Sequence, residues 1–390
     1  MINRSKEKSM KFKKRCGWLI PLIFLAGCVN PEVQQHMQNE SPTPATTIEE
    51  TTVEQDSSEI ESTVVIRSIG DILIHDTVFY DAATEDGYNF DHMFAPVKPY
   101  LENADITTAN LEVIAAGEDY GISTYPFFNS PEEIIPALQN VGVDIVSNAT
   151  NHTMDLGGPG AYASIANLQK YGLEYVGSYE SWEDYRRPRI IEKNGIKFGF
   201  LSYSYGTNGN PIPEGEEHLI TLIDKDVIRE EVQALNELVD VSIVVFQMGE
   251  EYEFLPVENQ YHIAQVTRDA GASFILGGHP HIVQPFIRYN AHQGGWFSHG
   301  NFLSGQYEEH TRIGGIGEYC FHKLANGEVI LGKIRFMPTY NIGMPETTEY
   351  YVVPLADASE YGFYNSDYWM EELRDRMSYF TDVEVVDYLD

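Results

Sequence analysis

From Thr63 onward the chain alternates two patterns of apolar and polar residues. The first is a short, nearly unbroken apolar run, as in "TVVIRSIG" (Thr63–Gly70), "VDIVSN" (Val143–Asn148), "IKFGFLSYS" (Ile196–Ser204), "VSIVVFQMG" (Val241–Gly249) and "ASFILGG" (Ala272–Gly278). Runs of this length, rich in β-branched and aromatic residues, predict buried strands. The second pattern spaces its apolar residues three or four apart. In "KDVIREEVQALNELVD" they are Val227, Ile228, Val232, Leu235 and Leu238, which predicts a helix with one buried side. Further helices are predicted around Pro131–Gln139, over "ENQYHIAQVTRDAG" (Glu258–Gly271) and over Ser366–Phe380. Strands alternating with helices, without an internal repeat, argue an α/β or α+β layered domain.

The pattern changes before Thr63. "VNPEVQQHMQNESPTPATTIEETTVEQDSSEIES" is rich in Gln, Glu, Ser, Thr and Pro. It has too little apolar surface to offset chain entropy, so residues 28–62 are expected to be a disordered tether reaching on the order of 30 Å. Residues 1–27 hold seven Lys and Arg against one acid and lead into "GWLIPLIFLAGC" (Gly17–Cys28). A basic start and a short apolar run make a secretory signal, too short for a membrane span. The run ends Leu25-Ala26-Gly27-Cys28, which resembles the bacterial lipobox and makes Cys28 the expected lipidated residue. The predicted organisation is a signal at 1–27, a tether at 28–62, a main domain at 63–344 and an acidic, tyrosine-rich extension at 345–390, expected to pack on the domain. The protein is expected outside the cytoplasm, held to the cell membrane through Cys28.

The formal charge of the 390-residue chain is -34, and excluding 1–27 it is -40, from 18 basic and 58 acidic residues. Such a balance repels phosphate backbones and excludes nucleic acid as a partner. Of the three cysteines, Cys16 lies in the signal, Cys28 is the lipid site and Cys320 has no partner, so no intrachain disulfide is expected.

Candidate chemistry sits just after the predicted strands, where layered α/β folds gather their ligand sites. Asp71 follows "SIG", with His75 four residues on. Asn110 and Glu112 in "TTANLEVI" are two apart and share one side of an extended chain. "VSNATNHTMDLGGPG" brings Asn148, Asn151, His152 and Asp155 into one loop, where Asp155 can hold the His152 ring. "VVFQMGEEYEF" offers Gln247, Glu250 and Glu251, and "FILGGHPHIVQ" offers His279 and His281 after two glycines and around Pro280. Singly, each has a plainer reading as a turn, an edge strand or a solvated loop. Together, oxygen and imidazole donors without thiolate suit Mn, Fe or Zn. One or two such ions are expected; a pair about 3.5–4 Å apart activates water and steadies a phosphoryl transition state.

"GDILIH", "NLE", "NATNHTMDLG", Gly249-Glu250-Glu251-Tyr252, "GGHPHIVQ" and "HGNF" stand in the order found in CapA-type proteins. The stretch Thr63–Pro338 thus resembles the poly-γ-glutamate capsule synthesis proteins of the calcineurin-like metallophosphoesterase superfamily. The resemblance implies a four-layer αββα sandwich with metal at the strand ends. It implies Asp71, Glu112, Asn151, His279 and His281 as metal ligands, Glu112 standing where a bridging carboxylate usually sits. It gives His152 the role of steadying or protonating the leaving group. Two departures stand out. Gln247-Met248-Gly249 replaces the usual His-Trp-Gly, and Leu73 stands two residues after Asp71, where the superfamily has a histidine. Gln247 is an oxygen donor in place of an imidazole, which leaves open one ion or two, and a catalytic or a silent site.

Three functions follow as alternatives. One is a lipid-anchored protein of poly-γ-glutamate biosynthesis or export, acting with a synthase complex or on the polymer. Another is a metal-dependent phosphoesterase acting on an unrelated envelope substrate, and a third is a non-catalytic binding lipoprotein. The anchor is open to direct test: cells fed radioactive fatty acid label the wild-type chain, and the label is lost in Cys28→Ala. Label retained in that variant removes the lipid site.

Overall fold

The computed structural model describes residues 60–345 and 347–390. The expected signal, Cys28 and all but the last three residues of the expected tether lie outside the described residues. Residues 60–62, inside the stretch expected to be tether, belong to a strand, and Ile60, Ser62 and Thr63 pair with the far end of a long antiparallel strand.

In chain order the strands are β1 (Ile60–Leu73), a small hairpin β2 (Ala83–Thr84) and β3 (Gly87–Tyr88), β4 (Ile106–Leu111), β5 (Ile145–Ser147), β6 (Glu174–Val176), β7 (Arg189–Lys193), β8 (Ile196–Ser204) and β9 (Val241–Gln247). There follow β10 (Phe274–Gly278), β11 (Val283–Arg288), β12 (Gly294–His299), β13 (Asn301–Ser304), β14 (Ile313–Leu324), β15 (Val329–Ile342), β16 (Tyr351–Pro354) and β17 (Glu384–Val385). They form two large sheets. The first runs β16-β15-β14-β1-β4-β5-β6, with β13 beside β1 and β17 beside β15; the second runs β11-β12-β10-β9-β8-β7. β1, β4, β5 and β6 are mutually parallel. So are β8, β9, β10 and β12. The stretch carrying Asn110 and Glu112 is therefore interior, and the edge-strand alternative is excluded for it.

The sheets face each other across one apolar core. Its centre is Phe274 of β10 stacked on Tyr319 of β14, with ring centroids 3.9 Å apart and planes 6° from parallel. Helices Ile134–Asn140 and Gly157–Tyr171 add Leu138, Ile165 and Leu168 to the core against β5. Helices Lys225–Asn236 and Glu258–Asp269 cover the other face of the second sheet, burying Ile228, Val232 and Ile263 against Val244, Phe246 and Ile275. The fold is mixed α/β with two sheets, layered helix, sheet, sheet, helix. Unbroken apolar runs are what central parallel strands require, since each buries both of its faces.

Beyond residue 345 the chain adds a helix, Ser366–Met377, which stops three residues short of the predicted end. Its Leu373 and Met377 are fully buried, and the Trp296 indole N–H points at Met377 Sδ at 3.4 Å. Cys320 is buried and free. Among the described residues no helix is long and apolar enough to cross a membrane.

Candidate metal centre

The parallel strands of both sheets end at one rim, and register sets what meets there. Asp71 pairs with Asn110 of β4 on one side and with Asn301 of β13 on the other. In the second sheet Gln247 pairs with Gly278. Asn110 ties the sheets together: its Nδ2 donates to Asp71 Oδ1 at 2.8 Å and to Gln247 Oε1 at 2.9 Å. Gln247 Nε2 in turn donates to Glu112 Oε1 and to Asn151 Oδ1, each at 2.8 Å. Asp71 sets that orientation: its carboxylate takes the Asn110 N–H₂, the same group turns Gln247 Oε1 toward Asn110, and Gln247 Nε2 is left to face Glu112 and Asn151.

The two glycines of "GGHPH" act by close approach. A Cβ on Gly277 would lie 2.0 Å from the Phe297 carbonyl oxygen, and one on Gly278 would lie 2.7 Å from Asn110 Nδ2 and 2.8 Å from Asp71 Oδ1. Positive φ falls on the histidines instead, at +97° for His279 and +58° for His281. Such a conformation costs roughly 1–3 kcal/mol per residue and persists where the surroundings enforce it. Here the Met248 N–H holds the Gly278 carbonyl and the Tyr252 N–H holds the Pro280 carbonyl.

The outcome is a buried cluster in which ligand atoms of Glu112, His279 and His281 all lie within 4.8 Å of one another. His281 Nδ1 is 3.2 Å from Asp71 Oδ2, 3.0 Å from Asn301 Oδ1 and 3.7 Å from Glu112 Oε2. Among the described residues the buried Glu112 Oε2 has no hydrogen-bond partner. An orphaned carboxylate oxygen facing two imidazoles, with a second carboxylate beside them, is a donor set that fits a divalent cation. His279, held near Gln247 Nε2 at 3.5 Å, completes the set.

Asn151 and His152 reach the same rim from the loop after β5. His152 Nδ1 lies 2.7 Å from Asp155 Oδ2, which also accepts the Phe128 N–H at 2.7 Å. Phe128 braces the imidazole edge-on, with centroids 4.7 Å apart. With Nδ1–H donated to Asp155, Nε2 is the nitrogen left for proton transfer.

Other candidates do different work. Asn148 turns away, accepting the Ser178 N–H at 2.9 Å to hold its loop. Glu250 and Glu251 are exposed. His75 accepts the Gly305 N–H on Nδ1, and burial lowers its pKa to about 4, so it stays neutral. The sequence reading missed Asn301, which fixes His281. Its signal was the polar break in "FSHGNFL", a strand interior otherwise without reason for an amide.

The electrostatics favour protons in the cation's place. Burial pushes Glu112 well above the ordinary carboxylate range. Burial opposes charge on His281, but Glu112 and Asp71 together outweigh it and lift that pKa to about 9. His279, buried and next to His281, drops to about 3 and is neutral.

The family model "Bacterial capsule synthesis protein PGA_cap" matches residues 65–306. The chain belongs to that family. It is 28% identical over 253 residues to the capsule biosynthesis protein CapA of Bacillus anthracis, covering 63% of this chain and 61% of that protein. It is 24% identical over 240 residues to the PGA biosynthesis protein CapA of Bacillus subtilis (strain 168), covering 61% and 63%. The match thus spans less than two thirds of those relatives' own length. Among solved structures, a calcineurin-like phosphoesterase, YfkN, of Bacillus subtilis aligns with 72% of this chain and 90% of its own at TM-score 0.43 and 15% identity. The NAD nucleotidase NadN of Haemophilus influenzae aligns with 84% and 65% at TM-score 0.44 and 11% identity. In this family member the cluster combines Glu112, His279 and His281, with the Gln247 carboxamide beside them.

Because Glu112 and His281 both titrate upward, the cation-free cluster keeps protons near neutral pH. The attraction between His281 and its carboxylates is fully present below about pH 6.5 and fades as pH rises through about 9. Cation binding runs the other way: it expels protons and tightens as pH rises. Calorimetry with Mn²⁺ or Zn²⁺ in buffers of different ionisation enthalpy should show proton release and weaker binding at pH 6 than at pH 8. Binding without proton exchange would contradict the assigned cluster.

Proposed function

We propose that this chain serves capsule polymer production at the outer face of the cell membrane, through a cation-dependent hydrolytic site of the phosphoesterase type. Membership of the capsule synthesis family supports the first part. The names of its relatives point to poly-γ-glutamate, made or exported by a synthase complex that this chain would assist. Attachment through Cys28 would put the domain where such a polymer emerges.

The hydrolytic part rests on one observation, the buried and unpartnered Glu112 Oε2 facing His279 and His281. Glu112, His279 and His281 would hold the ion, with Asp71 beside His281. When bound, it polarises a phosphoryl oxygen and acidifies water. The chain's own residues supply the rest. His152, its Nδ1 held by Asp155, presents Nε2 to give a proton to the departing oxygen. Asn110 and Gln247 keep the carboxylates aimed.

Gln247 argues for one ion. Its amide N–H groups occupy lone pairs of Glu112 Oε1 and Asn151 Oδ1 that a second cation would otherwise take. This residue also favours a second reading, in which the site binds without catalysis and the chain acts as an accessory to the synthase. Deleting the gene should remove surface poly-γ-glutamate under either reading, and normal capsule rejects both.

Purified protein should carry about one ion per chain and hydrolyse bis(4-nitrophenyl) phosphate. His152→Ala should keep the ion and lose roughly 10²–10⁴-fold in kcat. A metal-loaded, folded protein without turnover leaves the accessory reading. Elemental analysis of Gln247→His should find about two ions, and a wild-type chain already carrying two overturns the one-ion assignment.

A further inference from the structure

A second concavity opens beside the cluster. It has a volume of about 340 Å³, and its walls include Tyr125, Tyr252, Gln306, Tyr307, Glu308 and His310. Tyr125 is 73% exposed, Tyr307 68% and Tyr252 44%. Large aromatic rings left this open gain little for the fold, and three around one cleft make a binding surface.

The cleft is built, and it is tied to the cluster. Gln306 Oε1 accepts from Asn301 Nδ2 at 2.9 Å, and the same Asn301 holds His281 through Oδ1. Gln306 Nε2 reaches the Tyr252 hydroxyl at 3.3 Å, and the Tyr252 ring lies 6.1 Å from that of His281. On the far side, Tyr125 sits at the tip of a short turn closed by the Ser123–Asn129 bridge. The Asn129 side chain pins that turn to the backbone of Ala116, Gly117 and Gly121. The lining includes His75, whose Nδ1 is tied to the backbone of Leu73 and Gly305 while its other ring nitrogen has no such tie.

The lining contains no Lys or Arg. Glu308 is part of the wall, and Glu251 lies close enough to act on both Tyr252 and Glu112. A polyanion would be repelled here. What remains is aromatic faces interleaved with hydroxyls, an amide, imidazoles and one carboxylate, so a ligand needs apolar ring faces and many neutral donors and acceptors. We propose that this cleft is a subsite for an uncharged, polyhydroxylated ring, a glycosyl group, placed next to the cation cluster. It makes the substrate of the proposed hydrolytic site a sugar-bearing phosphoester, and in that respect rests on that reading. Occupancy of the cleft itself does not require hydrolysis.

The test separates the two. Ligand-observed NMR on the full chain, without added metal, should detect methyl N-acetyl-β-glucosaminide or methyl glucoside, with affinity roughly tenfold weaker in Tyr307→Ala and in Tyr125→Ala. Both side chains are exposed, so these variants should fold, and their metal content should match the wild type. Three results overturn the subsite: no glycoside binds, binding is unchanged in both variants, or phosphocholine or a γ-glutamyl tripeptide binds better than the glycosides. A protein that binds the glycoside but takes up no metal keeps the subsite and removes the hydrolytic reading. With metal added, a hexose 1-phosphate should bind about tenfold more tightly than inorganic phosphate, and that gap should close in Tyr307→Ala.

Discussion

Glu112 is fully buried at the meeting point of two sheets, with one carboxylate oxygen held by Gln247 and the other left without a hydrogen bond. Leaving a buried charge without its partner typically costs about 3–5 kcal/mol, a large share of a domain's net stability. The surrounding residues are arranged around that cost. His281 approaches Glu112 and Asp71 at once, Asn110 bridges Asp71 to Gln247, and Asn301 steadies the imidazole from the other side. Strain at His279 and His281 is a further expense accepted for the same geometry. Without a cation the cluster balances its charge with protons, on Glu112 and on His281. A divalent ion balances the set fully, which is why the arrangement reads as a cation site.

Gln247 changes what such a site can be. A carboxamide N–H₂ is a weak, fixed positive pole, and here it faces two oxygens that would otherwise be free for an ion. It holds Glu112 and Asn151 in place without help, so the geometry on that side no longer depends on metal. The consequence is a rim held by hydrogen bonds on the Gln247 side, with an unpartnered carboxylate oxygen on the His281 side. His152 lies outside this balance, since its partner is Asp155 and its brace is Phe128.

Charge outside the cluster separates two roles for the same molecule. A chain with formal charge -34 has little to attract an anionic polymer. Glu250 and Glu251, exposed on the loop after β9, extend that sign to the rim. The aromatic cleft beside His281 is lined by Glu308 and by no Lys or Arg, unlike a groove built for a polyanion. Contact with an anionic capsule polymer would therefore need bridging cations or a partner protein. Small neutral groups need neither.

The layered α/β character was legible in the chain alone, since unbroken apolar runs and helical spacings are local and survive without knowledge of the fold. So was the chemistry available, because polar residues directly after buried runs have few reasons to be there. Asp71, Glu112, Asn151, His152, Asp155, Gln247, His279 and His281 were all legible in that way. Tertiary structure alone decided how they combine. Register across β13, β1 and β4 brought Asn301, Asp71 and Asn110 into line. Packing of the two sheets set Gln247 against Glu112, 135 positions earlier. It also turned Asn148 away, gave the paired glycines a role of close approach, and assembled the tyrosine cleft from three separate loops. The physical reason is the same throughout: a side chain's type is fixed by the chain, but its partners are set by contacts between segments far apart in sequence, which only the packed sheets define.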